Sequence, residues 1–248
     1  GGGQGEVLLP HLISTVEAAA TDERITALVL DLQGLAGPGV SQTLEMLDAI
    51  TTFKDTGKPI IAIGDYYDQS HYLLASQATR VILHPAGLIN LQGFGVYSAY
   101  LKQLLDNTHI TMNVFRVGEN KSAVEPYLRD DMSSSQREVV GRWLGELWGQ
   151  YTALVEGGRS LETGFVDQFI AEFPDRMEIT GGDIGQLMRD AGLVDELLGH
   201  QERNALLATL VGAADDEGQY ASVNFNRYLM ETRFGEASGD AIVAVVPI

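Results

Sequence analysis

The sequence predicts an α/β fold built on a largely parallel sheet. From residue 12 onward, short β-branched runs alternate with longer amphipathic stretches, which is the pattern of βα units that pack helices on a sheet. The chain has 248 residues, 45% of them hydrophobic, so it can bury the core of one large domain or two small ones. The sequence contains no internal repeat, low-complexity block or heptad array, so it does not favour a solenoid or a coiled coil.

The predicted strands and helices follow this alternation along the chain. The β-branched runs predict strands at residues 27–32, 60–63, 80–83 and 111–117, and the stretches between them predict helices at 41–54, 70–76 and 96–107. A last β-branched run at 241–246, after turn-like residues, predicts one more strand. We expect this strand to open a second domain, so that residues 1–237 form one half of a longer protein and residues 238–248 lead into the other half.

A long helix is predicted to start at Ser133. Ser133 and Gln136 have capping-box spacing, in which the serine hydroxyl accepts a hydrogen bond from an unpaired amide and the glutamine side chain returns to the serine amide. Apolar residues then recur every three or four positions and give the helix one broad apolar face, at positions 139, 140, 143, 144, 147, 148 and 151. Further short helices are predicted within residues 161–201. Residues 212–238 are acidic and turn-rich, and predict no function.

Charge and composition exclude several functional classes. Thirty-four acidic residues against 16 basic ones give a net charge of −18, which repels phosphate backbones, so we expect no nucleic acid partner. The absence of cysteine excludes disulfides and cysteine-based metal or nucleophile sites. The longest apolar runs, at residues 25–30 and 59–63, are far shorter than the roughly 20 residues that span a bilayer. The glycine-rich residues 1–5 predict no targeting segment, and we expect the chain to begin inside a larger protein.

The histidines and glycines form no recognisable metal, catalytic or dinucleotide motif. Five histidines, at positions 11, 71, 84, 109 and 200, lack metal-ligand spacing, so we expect no bound metal. Ser70 and His71 are neighbours, but adjacent side chains on a helix point about 100° apart, which makes them a poor nucleophile and base. The Gly-Phe-Gly sequence at 93–95 lacks the third glycine of a dinucleotide fingerprint and is interpreted as a tight strand-to-helix turn.

Lys121 is the candidate catalytic residue. It follows a predicted strand and a turn at 118–120, and Ser-Ala-Val follows it rather than a charged run. A lone lysine is usually a solvated surface cation, so this setting alone identifies no function. The charged residues after it are interpreted as a salt-bridged loop leading into the capped helix, and they are Glu125, Arg129, Asp130 and Asp131.

The segment around Lys121, residues 114–133, reads Val-Phe-Arg-Val-Gly-Glu-Asn-Lys-Ser-Ala-Val-Glu-Pro-Tyr-Leu-Arg-Asp-Asp-Met-Ser. It resembles the lysine segment of the signal peptide peptidases of the protease IV type. Shorter stretches in the family's order extend the resemblance over nearly the whole chain, and they lie at residues 72–76, 90–94, 142–148, 180–183 and 192–195. The resemblance implies a fold of the Clp-protease/crotonase type, with ββα units and additional helices after Ser133.

The resemblance also implies a Ser/Lys dyad shared between two related halves, with Lys121 as the general base from this half. When the Ser-Gly-Gly-Tyr helix start of the serine-bearing half is matched to Tyr72, Gln69 takes the position of the nucleophile and Ser70 is one residue out of register. Residues 31–39 take the place of the family's oxyanion loop, with an altered glycine pattern. We therefore expect the serine in a carboxyl-terminal half outside this chain, and no hydrolysis by this chain alone.

The resemblance also implies substrates, a cellular location and an oligomeric state. Substrates would be cleaved signal peptides and other apolar, extended peptides, and the chemistry would need no cofactor. The family implies an anchor outside this chain, a position on the periplasmic face of the bacterial inner membrane, and a homotetramer. Two alternatives stay open. The chain is a non-catalytic assembly scaffold in which Lys121 is a structural cation, or it is a crotonase-like acyl-CoA enzyme, which should carry paired oxyanion glycines and its own acid/base carboxylates.

Overall fold

The computed structural model describes residues 7–35, 37–114, 122–214, 219–234 and 242–247. Its strands are β1 (Ile25–Asp31), β2 (Ile60–Tyr67), β3 (Arg80–Ile89), β4 (Glu196–Leu197), β5 (Val223–Asn224) and β6 (Ile242–Pro247). Its helices are α1 (Leu9–Thr21), α2 (Val40–Lys54), α3 (Gln69–Ala75), α4 (Lys102–Asn107), α5 (Glu125–Leu128), α6 (Ser134–Arg159), α7 (Phe165–Ala171), α8 (Phe173–Ile179), α9 (Ile184–Asp190), α10 (His200–Val211) and α11 (Phe225–Phe234). A 3-10 turn covers Ser122–Val124.

The described strands form one parallel sheet in the order β4-β3-β2-β1-β6-β5. Strand β1 is central, since Leu28 pairs with Ile60 on one side and with Ala244 on the other. Residues 27–30 of β1 are buried one after another rather than alternately. Continuous burial means that both faces of the sheet are covered, as parallel sheets require. The α/β class and the parallel sheet are confirmed.

Most predicted strands are confirmed, and two short strands were missed. The runs at 27–32, 60–63 and 80–83 lie in β1, β2 and β3. The run at 241–246 becomes β6, which lies between β1 and β5 in the same sheet; that it opens a second domain stays a prediction. Strands β4 and β5 have two residues each, which is too short to produce a periodic pattern.

Two other expectations about elements were wrong or incomplete, and one helix was missed. Among the described residues 111–114 there is no strand, and the remainder of the predicted strand at 111–117 lies outside the described residues. The predicted helix at 96–107 begins only at Lys102. Tyr97 is 97% exposed and Leu104 58% exposed, so these residues lack the packed face that stabilises a longer helix. Helix α1 was not predicted, although Pro10 at its start is a typical first-turn signal.

The chain divides into two compact units. Unit 1 comprises residues 1–92 and 152–248, and unit 2 comprises residues 93–151. Unit 1 contains the sheet and a core cluster of residues from both sheet and helix, namely Ala27, Val29, Ile61, Ile63, Ile82 and Leu207. Unit 2 contains α4, α5 and α6 as far as Tyr151. In unit 2 the rings of Trp148 and Tyr151 stack at 5.1 Å, and Phe94 meets both edge-on at 6.1 Å.

An ion pair in unit 1 holds the segment before β4 in place. Arg159 binds both carboxylate oxygens of Asp195 at 2.9 and 2.8 Å, and it also donates to the Gly192 carbonyl. The Val81 amide of β3 donates to Asp195 at 2.7 Å. Partial burial raises the pKa of Asp195, but the bonds from Arg159 and Val81 outweigh burial, and the pKa is lowered overall. The network connects the end of α6 to β3.

Candidate active site

Lys121 and the rest of residues 115–121 lie outside the residues that the structure describes. The charged loop after them is described. Arg129 pairs with Asp131 at 3.0 Å, and the Gln103 amide donates to Asp130 at 3.1 Å. The interpretation of this stretch as a salt-bridged loop is confirmed for Arg129 and Asp131, whereas Glu125 lies in helix α5.

Ser133 caps α6, but only half of the predicted capping box forms. The Gln136 amide donates to the Ser133 hydroxyl oxygen at 3.2 Å, as predicted. The Ser133 amide donates to the Glu125 carboxylate at 3.1 Å, where the box assigns that contact to Gln136. The Ser133 hydroxyl also donates to Glu125. Glu125 therefore fastens the segment that follows Lys121 to the start of α6.

Among the described residues, the start of α3 carries no nucleophile in an activated arrangement. Asp68 is the N-cap, and its carboxylate accepts from the His71 amide at 2.8 Å. Gln69, which takes the position that the resemblance gives to the nucleophile, accepts the Gln92 amide at 3.2 Å. Among the serines whose side chains the structure describes, Ser70 included, no hydroxyl forms a hydrogen bond with a described histidine or lysine side chain. This geometry agrees with the prediction that Ser70 and His71 do not act together as a nucleophile and its base.

The loop after β1 turns a carbonyl toward the start of α3. The Leu35 amide donates to the Leu32 carbonyl at 3.3 Å, which closes a turn at residues 32–35. The Leu35 carbonyl oxygen lies 2.9 Å from Nε2 of the buried His71. An oxyanion hole needs amide hydrogens directed at the reacting oxygen. The contact between this loop and α3 instead uses a carbonyl oxygen, which accepts a hydrogen bond and does not donate one.

A polar cluster near the carboxyl end of β2 was missed by the sequence analysis. His200 Nε2 lies 2.9 Å from Asp65 Oδ2, and Arg203 Nη1 lies 3.5 Å from Asp65 Oδ1. His84 meets the His200 ring edge-on at 5.6 Å. Partial burial raises the pKa of Asp65, but the bonds from His200 and Gln33 outweigh burial and lower it overall. Asp65 and His200 are 135 residues apart, so only the fold reveals that they are partners.

Two negative findings apply to the described part of the chain. Within it, no group of three or more histidines and carboxylates is arranged to hold a metal ion. The helices in the same ranges include none with the length and apolar character needed to span a bilayer.

Unit 2 has an exposed apolar surface. Of the sixteen large apolar residues that are exposed in the described structure, ten lie in unit 2, namely Val96, Tyr97, Leu101, Leu104, Ile110, Met112, Tyr127, Leu128, Val139 and Trp143. Unit 2 also contains six basic against seven acidic residues, a net charge of −1, which leaves −17 of the total −18 to unit 1. An apolar and nearly neutral surface is typical of a protein interface.

Comparison with known proteins identifies similar sequences. Residues 52–213 match the family described as Peptidase family S49. "Protease 4" of Salmonella typhi is 35% identical over 221 residues, which are 89% of this chain and 36% of that protein. "Protease 4" of Haemophilus influenzae is 33% identical over 229 residues, covering 90% of this chain and 37% of that protein. The "Serine protease SPPA, chloroplastic" of Arabidopsis thaliana is 23% identical over 220 residues, which are 89% of this chain and 31% of that protein. The chain spans about a third of the length of these relatives.

Solved structures of two enoyl-CoA hydratase-type proteins are also similar. One, an enoyl-CoA hydratase/isomerase family protein from Silicibacter pomeroyi, aligns with 70% of this chain and 87% of its own chain, with 14% identity and a TM-score of 0.26. The other, from Mycobacterium avium paratuberculosis and described as a putative enoyl-CoA hydratase, aligns with 82% of this chain and 83% of its own, with 13% identity and a TM-score of 0.28. These scores add nothing to the fold assignment, which depends on the sheet itself.

Proposed function

The chain belongs to peptidase family S49, and we propose that it supplies the general-base lysine, Lys121, to a nucleophilic serine that lies outside this chain. The family makes the protein a serine peptidase. The finer proposal is supported by the start of α3, where the resemblance gives Gln69 the position of the nucleophile and the Gln69 side chain accepts the Gln92 amide. An amide side chain cannot attack a peptide carbonyl, so a peptidase built with this segment needs its serine from elsewhere.

The proposed reaction is acyl transfer through a serine ester. Lys121 Nζ takes the proton of the serine hydroxyl as the serine oxygen attacks the peptide carbonyl, and it then gives that proton to the departing amine. Water hydrolyses the acyl-enzyme in the second half of the reaction. The lysine must be neutral to act as a base, and exclusion from water is the usual way to favour the neutral amine. We propose that burial against the serine-bearing half provides this exclusion.

We propose apolar, extended peptides as substrates, in particular cleaved signal peptides. We also propose a carboxyl-terminal half, in a homotetramer on the periplasmic face of the bacterial inner membrane, as the partner of this chain. The apolar, nearly neutral surface of unit 2 supports a protein partner, because association through a surface of net charge −1 avoids the repulsion between regions of −17.

The same surface also supports the rival proposal of a non-catalytic scaffold. Exposed residues such as Tyr97 and Trp143 would bind a partner whether or not Lys121 takes part in chemistry. Membership of a peptidase family weighs against the other rival, an acyl-CoA enzyme. The remaining question is whether Lys121 is a base or a structural cation.

The deciding experiment measures hydrolysis of an apolar peptide ester by the full-length protein with Lys121→Ala. Loss of a general base should lower kcat/KM by about 10²–10⁴-fold. Lys102→Ala is the matched control, because Lys102 is a lysine of unit 2 paired with Asp106 on the exposed side of α4, and we expect it to leave the rate unchanged. Unfolding midpoints and light-scattering masses check that both variants fold and assemble.

Near-normal activity of Lys121→Ala would favour the scaffold and contradict the proposal. The 248-residue chain alone should hydrolyse nothing. Peptidase activity that copurifies with this chain and persists in Ser70→Ala would also contradict a serine supplied from outside.

A further inference from the structure

Unit 2 contains a polar cleft beside the start of α6. Its lining residues come from the loop at residues 129–132, which follows α5, and from the first turns of α6. The cleft has a volume of about 550 Å³ and is lined by Arg129, Asp131, Met132, Ser134, Arg137 and Glu138. Ligand pockets of proteins commonly measure about 300–1,000 Å³, so the cleft has room for the end of a peptide.

The charged groups of the cleft are paired, with one exception. Arg129 Nη2 lies 3.0 Å from Asp131 Oδ1, and Arg129 Nε donates to the Asp131 carbonyl at 3.2 Å. Glu138 Oε1 lies 3.2 Å from Arg142 Nη2, further along α6. Arg137 is exposed, and its side chain forms neither an ion pair nor a hydrogen bond within the described residues. The lining residues therefore carry one uncompensated positive charge.

An unpaired arginine is unusual in a chain as acidic as this one. Acidic residues outnumber basic ones by 34 to 16. The other arginines whose side chains the structure describes all have an ion pair or a side-chain hydrogen bond, and they are Arg24, Arg80, Arg129, Arg142, Arg159, Arg176, Arg189, Arg203 and Arg227. The guanidinium of Arg137 is therefore available to a ligand.

We propose that this cleft binds the terminal carboxylate of a peptide substrate. A guanidinium presents parallel N–H groups that match the two oxygens of a carboxylate, and Arg137 makes this contact. Asp131 occupies Nε and Nη2 of Arg129, which leaves Nη1 to donate a further hydrogen bond to the same carboxylate. Met132 provides apolar contact for the last side chain of the peptide.

This role of the cleft rests on the function proposed above and adds a feature by which substrates are selected. Hydrolysis of a peptide bond leaves a carboxylate at the end of the released fragment. A cleaved signal peptide therefore ends in a carboxylate, whereas the same apolar segment within an uncleaved protein does not. Recognition of this group favours released fragments over intact proteins.

Contacts within unit 2 hold the cleft in shape and connect it to the lysine segment. Glu125, four residues after Lys121, accepts hydrogen bonds from the amide and the hydroxyl of Ser133, directly before α6. The Gln103 amide donates to Asp130 at 3.1 Å and holds the loop between α5 and α6. The cleft therefore belongs to the same structural unit as the segment that follows Lys121.

Binding of labelled peptides to the full-length protein tests the proposal. Two apolar peptides of one sequence carry a dye at the amino end, and one ends in a free carboxylate and the other in a carboxamide. The protein carries Lys121→Ala so that the peptides stay intact, which mass spectrometry checks. Fluorescence anisotropy should show about tenfold tighter binding of the carboxylate peptide, because its contact with Arg137 is charge-assisted.

Two variants and a third peptide identify the group that is recognised. Arg137→Gln keeps hydrogen-bond donors without the charge, so the two peptides should bind equally. Arg227→Gln is the matched control, since it removes the same charge from an arginine of unit 1 that is 71% exposed and paired with Glu231, and the preference should remain. A carboxamide peptide with glutamate as its last residue carries its carboxylate on a side chain, and its affinity should be close to that of the plain carboxamide.

Equal affinities of the carboxylate and carboxamide peptides for the protein with an intact Arg137 would overturn the proposal without any cleft variant. A preference that survives in Arg137→Gln, or that disappears in Arg227→Gln, would also overturn it. Tight binding of the glutamate peptide would assign the cleft to acidic side chains instead of peptide ends. Failure of the function proposed above has a different signature, namely cleavage of the peptides by the Lys121→Ala protein, and the initial anisotropy then still gives the affinities.

Discussion

Unit 1 and unit 2 differ in where their apolar side chains go. In the described part of the chain, unit 1 buries almost all of the core, and unit 2 supplies only Tyr151 to the set of buried apolar residues. Unit 2, with 59 of the 248 residues, instead holds ten of the sixteen exposed large apolar side chains. Unit 1 has the organisation of a stable domain, and unit 2 has the organisation of an interface.

Helix α6 shows the difference along one element. Its predicted apolar face includes Val139 and Trp143, which are 57% and 54% exposed, and ends at Tyr151, which is 4% exposed. Val139 and Trp143 are four residues apart and therefore lie on the same side of the helix. An apolar stripe that is exposed at one end is expected where a partner completes the burial. The contrast indicates that the sequence of unit 2 is adapted to contacts that the described residues do not make with one another.

The largest expected effect compares matching substitutions in the two units. Leu28→Ala removes a fully buried side chain from the centre of the sheet and should lower the free energy of unfolding by about 2–5 kcal/mol. Leu104→Ala makes the same chemical change in unit 2, where the side chain is 58% exposed, and should change it by less than about 0.5 kcal/mol. Urea unfolding followed by circular dichroism measures both. Equal losses would mean that unit 2 has a core of its own.

A second comparison uses two arginines with different surroundings. The Arg159 side chain is 8% exposed and binds Asp195, so Arg159→Met should cost about 2 kcal/mol by leaving a partly buried carboxylate without its cation. Arg142 pairs with Glu138 on the surface of unit 2, with exposures of 66% and 76%, and Arg142→Met should cost less than about 0.5 kcal/mol. The urea midpoints of the two variants give the result. An Arg159→Met midpoint as high as that of Arg142→Met would show that the ion pair has no structural role.

The sequence predicts the elements of unit 1 better than those of unit 2. Runs such as 60–63 and 80–83 are β-branched because they are buried on both sides, so composition alone reveals them. In unit 2 the large apolar residues Val96, Tyr97 and Leu101 are exposed, and apolar character there does not indicate a packed helix. Periodicity correctly identified the apolar face of α6. Periodicity could not show that part of this face is exposed, because it identifies which residues form an apolar face and not which part of the protein or of a partner covers them.

The candidate site was only partly predictable for a related reason. The resemblance gives Gln69 the position of the nucleophile, and this assignment stays a prediction; the structure shows that Gln69 accepts the Gln92 amide. The contacts of His71 were not visible, because Leu35 is distant in the sequence and contributes a backbone carbonyl rather than a side chain. The pairing of Ser133 with Glu125 was missed because the capping-box pattern favoured the nearer Gln136. The role of Lys121 stays a prediction.

The smallest expected effect is a pH dependence confined to unit 1. Hydrogen bonds from Arg24, the nearest at 2.6 Å, lower the pKa of Asp22 from its ordinary 3.8 to about 2, and the Tyr228 hydroxyl adds a further bond at 3.0 Å. Because the folded-state pKa is below the unfolded one, the carboxylate stabilises the fold above about pH 4, and this contribution is lost as the pH falls to about 2.

Wild type should therefore exceed Asp22→Asn in free energy of unfolding by about 1 kcal/mol at pH 6, and the difference should shrink as the pH falls and vanish below about pH 2. Asp131→Asn is the control in unit 2, since the Asp131 side chain is 66% exposed and its pair with Arg129 is screened by water. Urea unfolding at a series of pH values follows all three proteins. A difference for Asp22→Asn that stays constant with pH would show that the Asp22 side chain acts by shape and hydrogen bonding alone, and that the charge of its carboxylate contributes nothing to the stability of unit 1.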